Sequence, residues 1–142
     1  MNVKLPPVPV KLTIEAPLRP SEDPSKVEEA LKNIVGGIDF TVIKRERDRL
    51  TAKTEDPKGL FTIYERIRAR QSLGVARRLL TRNTSEDSTW IYLNKQAAYV
   101  KIVNMCEDET DSPLGPIKMT IHTKEPEKII DWLAPHNPKT LS

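Results

Sequence analysis

Six arginines, Arg66, Arg68, Arg70, Arg77, Arg78 and Arg82, fall within seventeen residues, and no acidic residue interrupts them. A guanidinium stays charged at any biological pH, donates in a planar fork that matches a phosphate, and stacks on unpaired bases. So dense a group reads either as a polyanion-binding element or as the solvated face of a helix. A second basic run, Lys44, Arg45, Arg47 and Arg49, alternates with Glu46 and Asp48. That alternation suits pairing within the chain better than a finger reaching for phosphate. Asn94, Lys95 and Gln96 form a third candidate: they offer donors and acceptors for a base edge or sugar hydroxyl, yet an asparagine in a turn often bonds its own backbone. Both readings of that triplet stay open.

Catalytic chemistry has no comparable signal. His122 and His136 stand alone, Cys106 lies in no nucleophile signature, and no G-x-S-x-G, H-E-x-x-H or phosphate-cradling glycine loop occurs. Glu107, Asp108, Glu109 and Asp111 lack the glycine and terminal glutamate of an EF-hand loop and read as a solvated loop. The sequence therefore predicts no enzyme, no cofactor and no metal. With one cysteine no internal disulfide can form, which suits a reducing compartment. Met1 to Val10 contains three prolines where a signal peptide needs an unbroken apolar stretch, and no later run approaches the roughly 18 apolar residues of a membrane span. A cytoplasmic protein with no membrane contact is the expectation.

These groups need elements to hold them. The chain has 142 residues, 37% hydrophobic and 30% charged, enough to collapse around one core. Its net charge of +3 tilts towards polyanions without naming one. Val8, Val10, Leu12 and Ile14 alternate with polar residues and prolines, predicting a strand whose prolines favour an edge or a strand start. Ser21 or Asp23 can cap a helix that Pro24 opens and that buries Val27, Leu31, Ile34 and Val35, with Gly36-Gly37 ending it. Residues 38–54 read as a hairpin, with Ile38, Phe40 and Val42 facing inward and Leu50 and Ala52 resuming the pattern on return.

After Asp56-Pro57 a long helical stretch begins. Leu60, Ile63, Tyr64 and Ile67 form one apolar stripe, and Leu73, Ala76, Leu79 and Leu80 another on roughly the opposite side, so the spacing predicts a break between Arg70 and Gly74. On the second segment Arg78 and Arg82 lie about 40° apart, away from the leucines, with Arg77 bordering the apolar face. Strands then return at Trp90 to Leu93 and at Ala98, Val100 and Ile102, with Asn94-Lys95-Gln96 as the turn between them. Ile117, Met119 and Ile121 mark a last strand, and Glu127 to Leu133 a closing helix opened by Pro126. In that helix Ile129, Trp132 and Leu133 read as packing against the sheet more readily than as a docking anchor.

The predicted order is β-α-β-β-α-α-β-β-β-α, a single α+β domain over 1–142. Its six mostly antiparallel strands carry helices on one face and leave Lys11, Thr13, Tyr99, Lys101, Lys118 and Thr120 on the other.

Three segments are distinctive together: Arg70-Gln71-Ser72-Leu73 with Ala76-Arg77; Leu93-Asn94-Lys95-Gln96-Ala97-Ala98; and Leu114-Gly115-Pro116-Ile117 followed by Ile130-Asp131-Trp132-Leu133-Ala134-Pro135. In these the chain resembles, from about Val10 to Pro135, an archaeal family of conserved, uncharacterised proteins described as predicted RNA-binding, exosome-associated subunits. The resemblance implies a fold similar to the large-subunit ribosomal protein that binds 5S RNA, an archaeal cytoplasm, and RNA as ligand. The arginine cluster and the turn together give the expected RNA-binding residues, Arg66, Arg70, Arg77, Arg78, Arg82, Asn94, Lys95, Gln96 and Lys101, and the resemblance implies a subunit of an RNA-processing complex. The competing expectation is a protein-interaction subunit, or a homodimer built by strand addition at the proline-bearing edge.

Overall fold

In the computed structural model of the chain, residues 4–35, 42–46, 48–69 and 71–136 are described, 42–44 by backbone only. The elements run β1 (Lys11–Pro17), α1 (Pro24–Val35), β2 (Val42–Arg45), β3 (Arg49–Thr54), α2 (Phe61–Ala69), α3 (Leu73–Arg82), β4 (Ser88–Leu93), α4 (Lys95–Tyr99), β5 (Met105–Cys106), β6 (Ile117–His122) and α5 (Pro126–Leu133). The predicted α+β class holds: the described residues form six strands in the order β2-β3-β1-β6-β4-β5, and the pairings among them are antiparallel.

Side-chain alternation decides which face is buried. Leu12, Ile14 and Ala16 of β1, Leu50 and Ala52 of β3, Ile91 and Leu93 of β4, and Ile117, Met119 and Ile121 of β6 all point into one core. The helices close it with Leu31 and Ile34 from α1, Ile63 and Ile67 from α2, Leu79 and Leu80 from α3, and Ile129 and Leu133 from α5. Asp23 opens α1 as expected, its carboxylate accepting from the Ser25 backbone N–H at 2.9 Å. The predicted glycine stop at 36–37 and the strand residues Ile38 and Phe40 lie outside the described residues.

The predicted helix break is present. The Ser72 N–H donates to Ile67 O at 2.9 Å and the Gln71 N–H to Arg68 O at 3.1 Å, with Gln71 at φ 54°. This is the Schellman closure of a helix, with glutamine in the left-handed position that glycine usually takes.

Two expectations need correction. Ala98, Val100 and Ile102 form no strand: Lys95–Tyr99 is the short helix α4, and the fifth strand is the two-residue Met105–Cys106. The proline-bearing β1 is no edge either. It lies between β3 and β6, pairing Ile14 with both Ala52 and Met119, so strand addition there has no free backbone to use. Pro7 and Pro9 precede the strand, as the strand-start alternative required.

Candidate nucleic-acid interface

A phosphate-binding surface needs cations that are exposed and not already neutralised, and the arginines of α2 and α3 meet that demand unequally. Arg68 turns inward. Its guanidinium donates to Tyr64 O at 3.1 Å, Leu133 O at 3.0 Å and Trp132 O at 3.4 Å, while resting 3.4 Å from the centre of the Tyr64 ring. Arg77 donates to Ala134 O at 3.2 Å and pairs with Asp131 at 2.9 Å. Both therefore serve the carboxy-terminal end of α5, whose last carbonyls lack intrahelical donors.

Arg78 and Arg82 lie one turn apart, with side chains 56% and 48% exposed. They share one carboxylate: Arg78 grips Glu107 through both oxygens, at 2.7 and 3.0 Å. Arg82 donates to the Glu107 carbonyl at 2.8 Å and approaches its carboxylate at 3.9 Å. The hydrogen bond from Arg78 holds the Glu107 carboxyl below its usual range, helped by the charges of Arg78 and Arg82, and it raises Arg78 in return. The charge of Arg82 also acts on Asp108, so at this corner the two guanidiniums face the carboxylates of both Glu107 and Asp108. Arg66 is half-buried and has no ion pair among the described residues, and Arg70 lies outside them.

The acidic loop is folded on itself. Asp111 accepts from the backbone N–H groups of Glu107 and Asp108 at 2.9 and 3.2 Å, and Asp108 accepts from Thr110 N–H at 2.8 Å. Among the described residues no three or more His, Cys, Asp and Glu side chains come together to hold a metal ion. Burial, then the charges of Asp111 and Asp108, push the Cys106 thiol up to about 11, which keeps it protonated and unreactive at neutral pH.

All three side chains of the triplet make contacts within the chain. Asn94 caps α4, its side-chain oxygen accepting from Ala97 N–H at 2.8 Å. Lys95 is buried, and its ammonium donates to Pro17 O at 2.8 Å, Leu114 O at 2.9 Å and both oxygens of Glu22 at 3.0 and 3.1 Å. Burial lowers its pKa, and the Glu22 contact works the other way. Lys95 has no donor left for RNA. Gln96 is exposed and donates to Pro113 O at 3.0 Å. Lys101 sits at φ 67° in the turn after α4, so neither it nor Tyr99 shares the open sheet face on which the alternation had placed them.

That open face holds a group the sequence reading passed over. Trp90 and Tyr92 alternate with the buried Thr89, Ile91 and Leu93, so both rings stand on the side away from the helices. Their centroids are 4.7 Å apart in an edge contact, and Lys118 Nζ lies 4.6 Å from the centre of the Trp90 ring. The signal was available: two aromatics in the polar register of a half-buried strand mark an outward apolar surface.

Residues 11–123 match a family model described as RNA binding. A UPF0201 protein of Sulfurisphaera tokodaii is 39% identical over 133 residues, covering 91% of this chain and 90% of that one. A UPF0201 protein of Pyrococcus horikoshii is 41% identical over 126 residues, with 88% and 89% covered. The crystal structure of a UPF0201 protein from Methanococcus jannaschii superposes with a TM-score of 0.73 at 33% identity, over 89% of this chain and 94% of that one. Among the described residues no helix is long and apolar enough to cross a membrane.

Proposed function

The chain belongs to the RNA-binding family and groups with archaeal UPF0201 proteins, and on that premise we propose that it binds RNA through phosphate contacts from α3, with no catalytic step of its own. The observation that carries the α3 assignment is the fork of Arg78 and Arg82 closed on the Glu107 oxyanion. A geometry that holds a carboxylate through two oxygens also fits a phosphate. In this reading Glu107 keeps the fork ordered in the free protein and gives way to the ligand, and Arg66 and Arg70 are further candidate contacts. Arg68 and Arg77 are spent on α5. The resemblance adds a cytoplasmic setting and an accessory role in RNA processing.

The first prediction concerns this fork. Glu107→Gln removes the competing charge, so RNA binds more tightly at low salt. Arg78→Gln with Arg82→Gln flattens the log–log dependence of affinity on salt by about 0.7 per single-strand phosphate lost. A salt titration by filter binding or anisotropy measures both. An unchanged slope in the double variant defeats the α3 assignment.

A docking role has one observation behind it. Tyr99, Val100 and Ile102 are 42%, 59% and 39% exposed around the turn at Lys101, an apolar surface suited to a protein neighbour in such a complex or to a second copy. Sedimentation equilibrium showing a monomer at all concentrations removes the second copy.

A further inference from the structure

An antiparallel sheet covered by helices on one side leaves its other face to the surroundings. Here that face brings together residues far apart in sequence. Register sets Thr13 beside Lys53 on one side and Thr120 on the other, and Thr120 in turn beside Trp90. In the neighbouring row Lys118 stands opposite Tyr92. Among the described residues the Trp90 indole N–H has no hydrogen-bond partner. The other tryptophan is different: the Trp132 N–H donates to Lys4 O at 3.1 Å, and its ring packs on Tyr64 at 4.9 Å.

Charge on the face is unevenly compensated. Glu15, which stands opposite Lys118 in the register, is taken by Arg49 and Glu55 by Lys11 at 3.2 Å, whereas Lys53 and Lys118 form no salt bridge among the described residues. The Lys118 ammonium rests over the Trp90 ring instead, a cation–π contact that a base stacking on that face would have to displace. An aromatic pair beside lysines free of salt bridges on an open sheet face is the chemistry that holds a single strand, since every base has a π-face and every link a phosphate.

We propose that the open sheet face is a stacking platform for the unpaired bases of single-stranded RNA, with Trp90 bearing a base and Lys53 and Lys118 meeting the flanking phosphates. A base arriving on Trp90 displaces the Lys118 ammonium from the ring towards the backbone it brings. Duplex RNA, whose base faces are covered, has no access to that ring. The proposal rests on the reading that the protein binds RNA and is independent of the α3 fork.

The test titrates the protein with a single-stranded oligouridylate of about ten nucleotides and with the same strand annealed to its complement. Tryptophan emission falls on adding the single strand, and falls equally in Trp132→Phe. Trp90→Leu abolishes the quench and weakens binding roughly 5- to 150-fold, while Trp90→Phe, which keeps a ring and guards against loss of folding, retains most of the affinity. The duplex binds more weakly than the single strand. Binding with unchanged emission, or equal affinity in Trp90→Leu, overturns the platform and leaves RNA binding by α3 standing. If neither RNA binds the unmodified protein at low salt, the RNA-binding reading falls and the platform with it.

Discussion

A lysine whose ammonium contacts four oxygens in the interior is a structural cation, and Lys95 shows how far such a residue can be from its apparent role. Its partners Glu22 and Pro17 lie 73 and 78 positions earlier, so no local pattern reveals them. The sequence placed Lys95 in a segment with donors to spare, and tertiary contact used every donor. Side chains of the pair are only 4% and 8% exposed, which makes removal of one partner expensive. The second prediction is that Lys95→Met destabilises the protein by about 3–5 kcal/mol, because Glu22 is left charged and buried. Adding Glu22→Leu recovers part of the loss in a double-mutant cycle by urea denaturation. A Lys95→Met variant as stable as the parent removes the clamp from the account. RNA affinity measured at a temperature where that variant is folded stays unchanged, which separates this lysine from the phosphate contacts.

Elements were legible where their period had room to repeat. α1, α3 and α5 carry apolar residues at helical spacing over eight to twelve residues, and β1, β3, β4 and β6 alternate over six or seven. The five residues of α4 span little more than one turn, too short for a helical period to show. The chance alternation of Ala98, Val100 and Ile102 then read as a strand. A better guide was composition: Lys95-Gln96-Ala97-Ala98 are all helix formers behind an asparagine cap. The break between α2 and α3 was found because two apolar stripes on opposite sides cannot belong to one straight helix, although its hinge is Gln71 and not the nearby Gly74. A non-glycine residue in the left-handed region carries a cost of roughly 1–2 kcal/mol, partly offset by the greater backbone entropy that glycine loses on folding. The third prediction is that Gln71→Gly stabilises the protein by up to about 1 kcal/mol in thermal unfolding. A clear loss of stability shows that the Gln71 side chain contributes more than its backbone strain costs.

At the scale of the whole molecule, pairing partners are remote. β6, near the carboxy terminus, lies between β1 and β4 and supplies the register Leu12↔Ile121 and Ile91↔Met119, so neither half of the sheet is complete until the last strand is in place. Alternation revealed β1, β3, β4 and β6 but neither the two-residue β5 nor the strand order, because hydrophobic pattern says which face is buried and not which neighbour is beside it. The candidate surfaces inherit this dependence: Lys53, Lys118 and Trp90 come from β3, β6 and β4, and the α3 fork closes on a residue of the loop after β5. A surface assembled this way exists only in the fully folded chain, and one core shared by five helices gives no seam along which part of it can open alone. The fourth prediction is that urea unfolding is a single transition: emission from Trp90 on β4, isolated in Trp132→Phe, and far-ultraviolet circular dichroism from the helices give the same midpoint and slope. Quenching by single-stranded RNA disappears over that same range of urea. Separate midpoints for the two signals divide the sheet from its helices and refute a single cooperative domain.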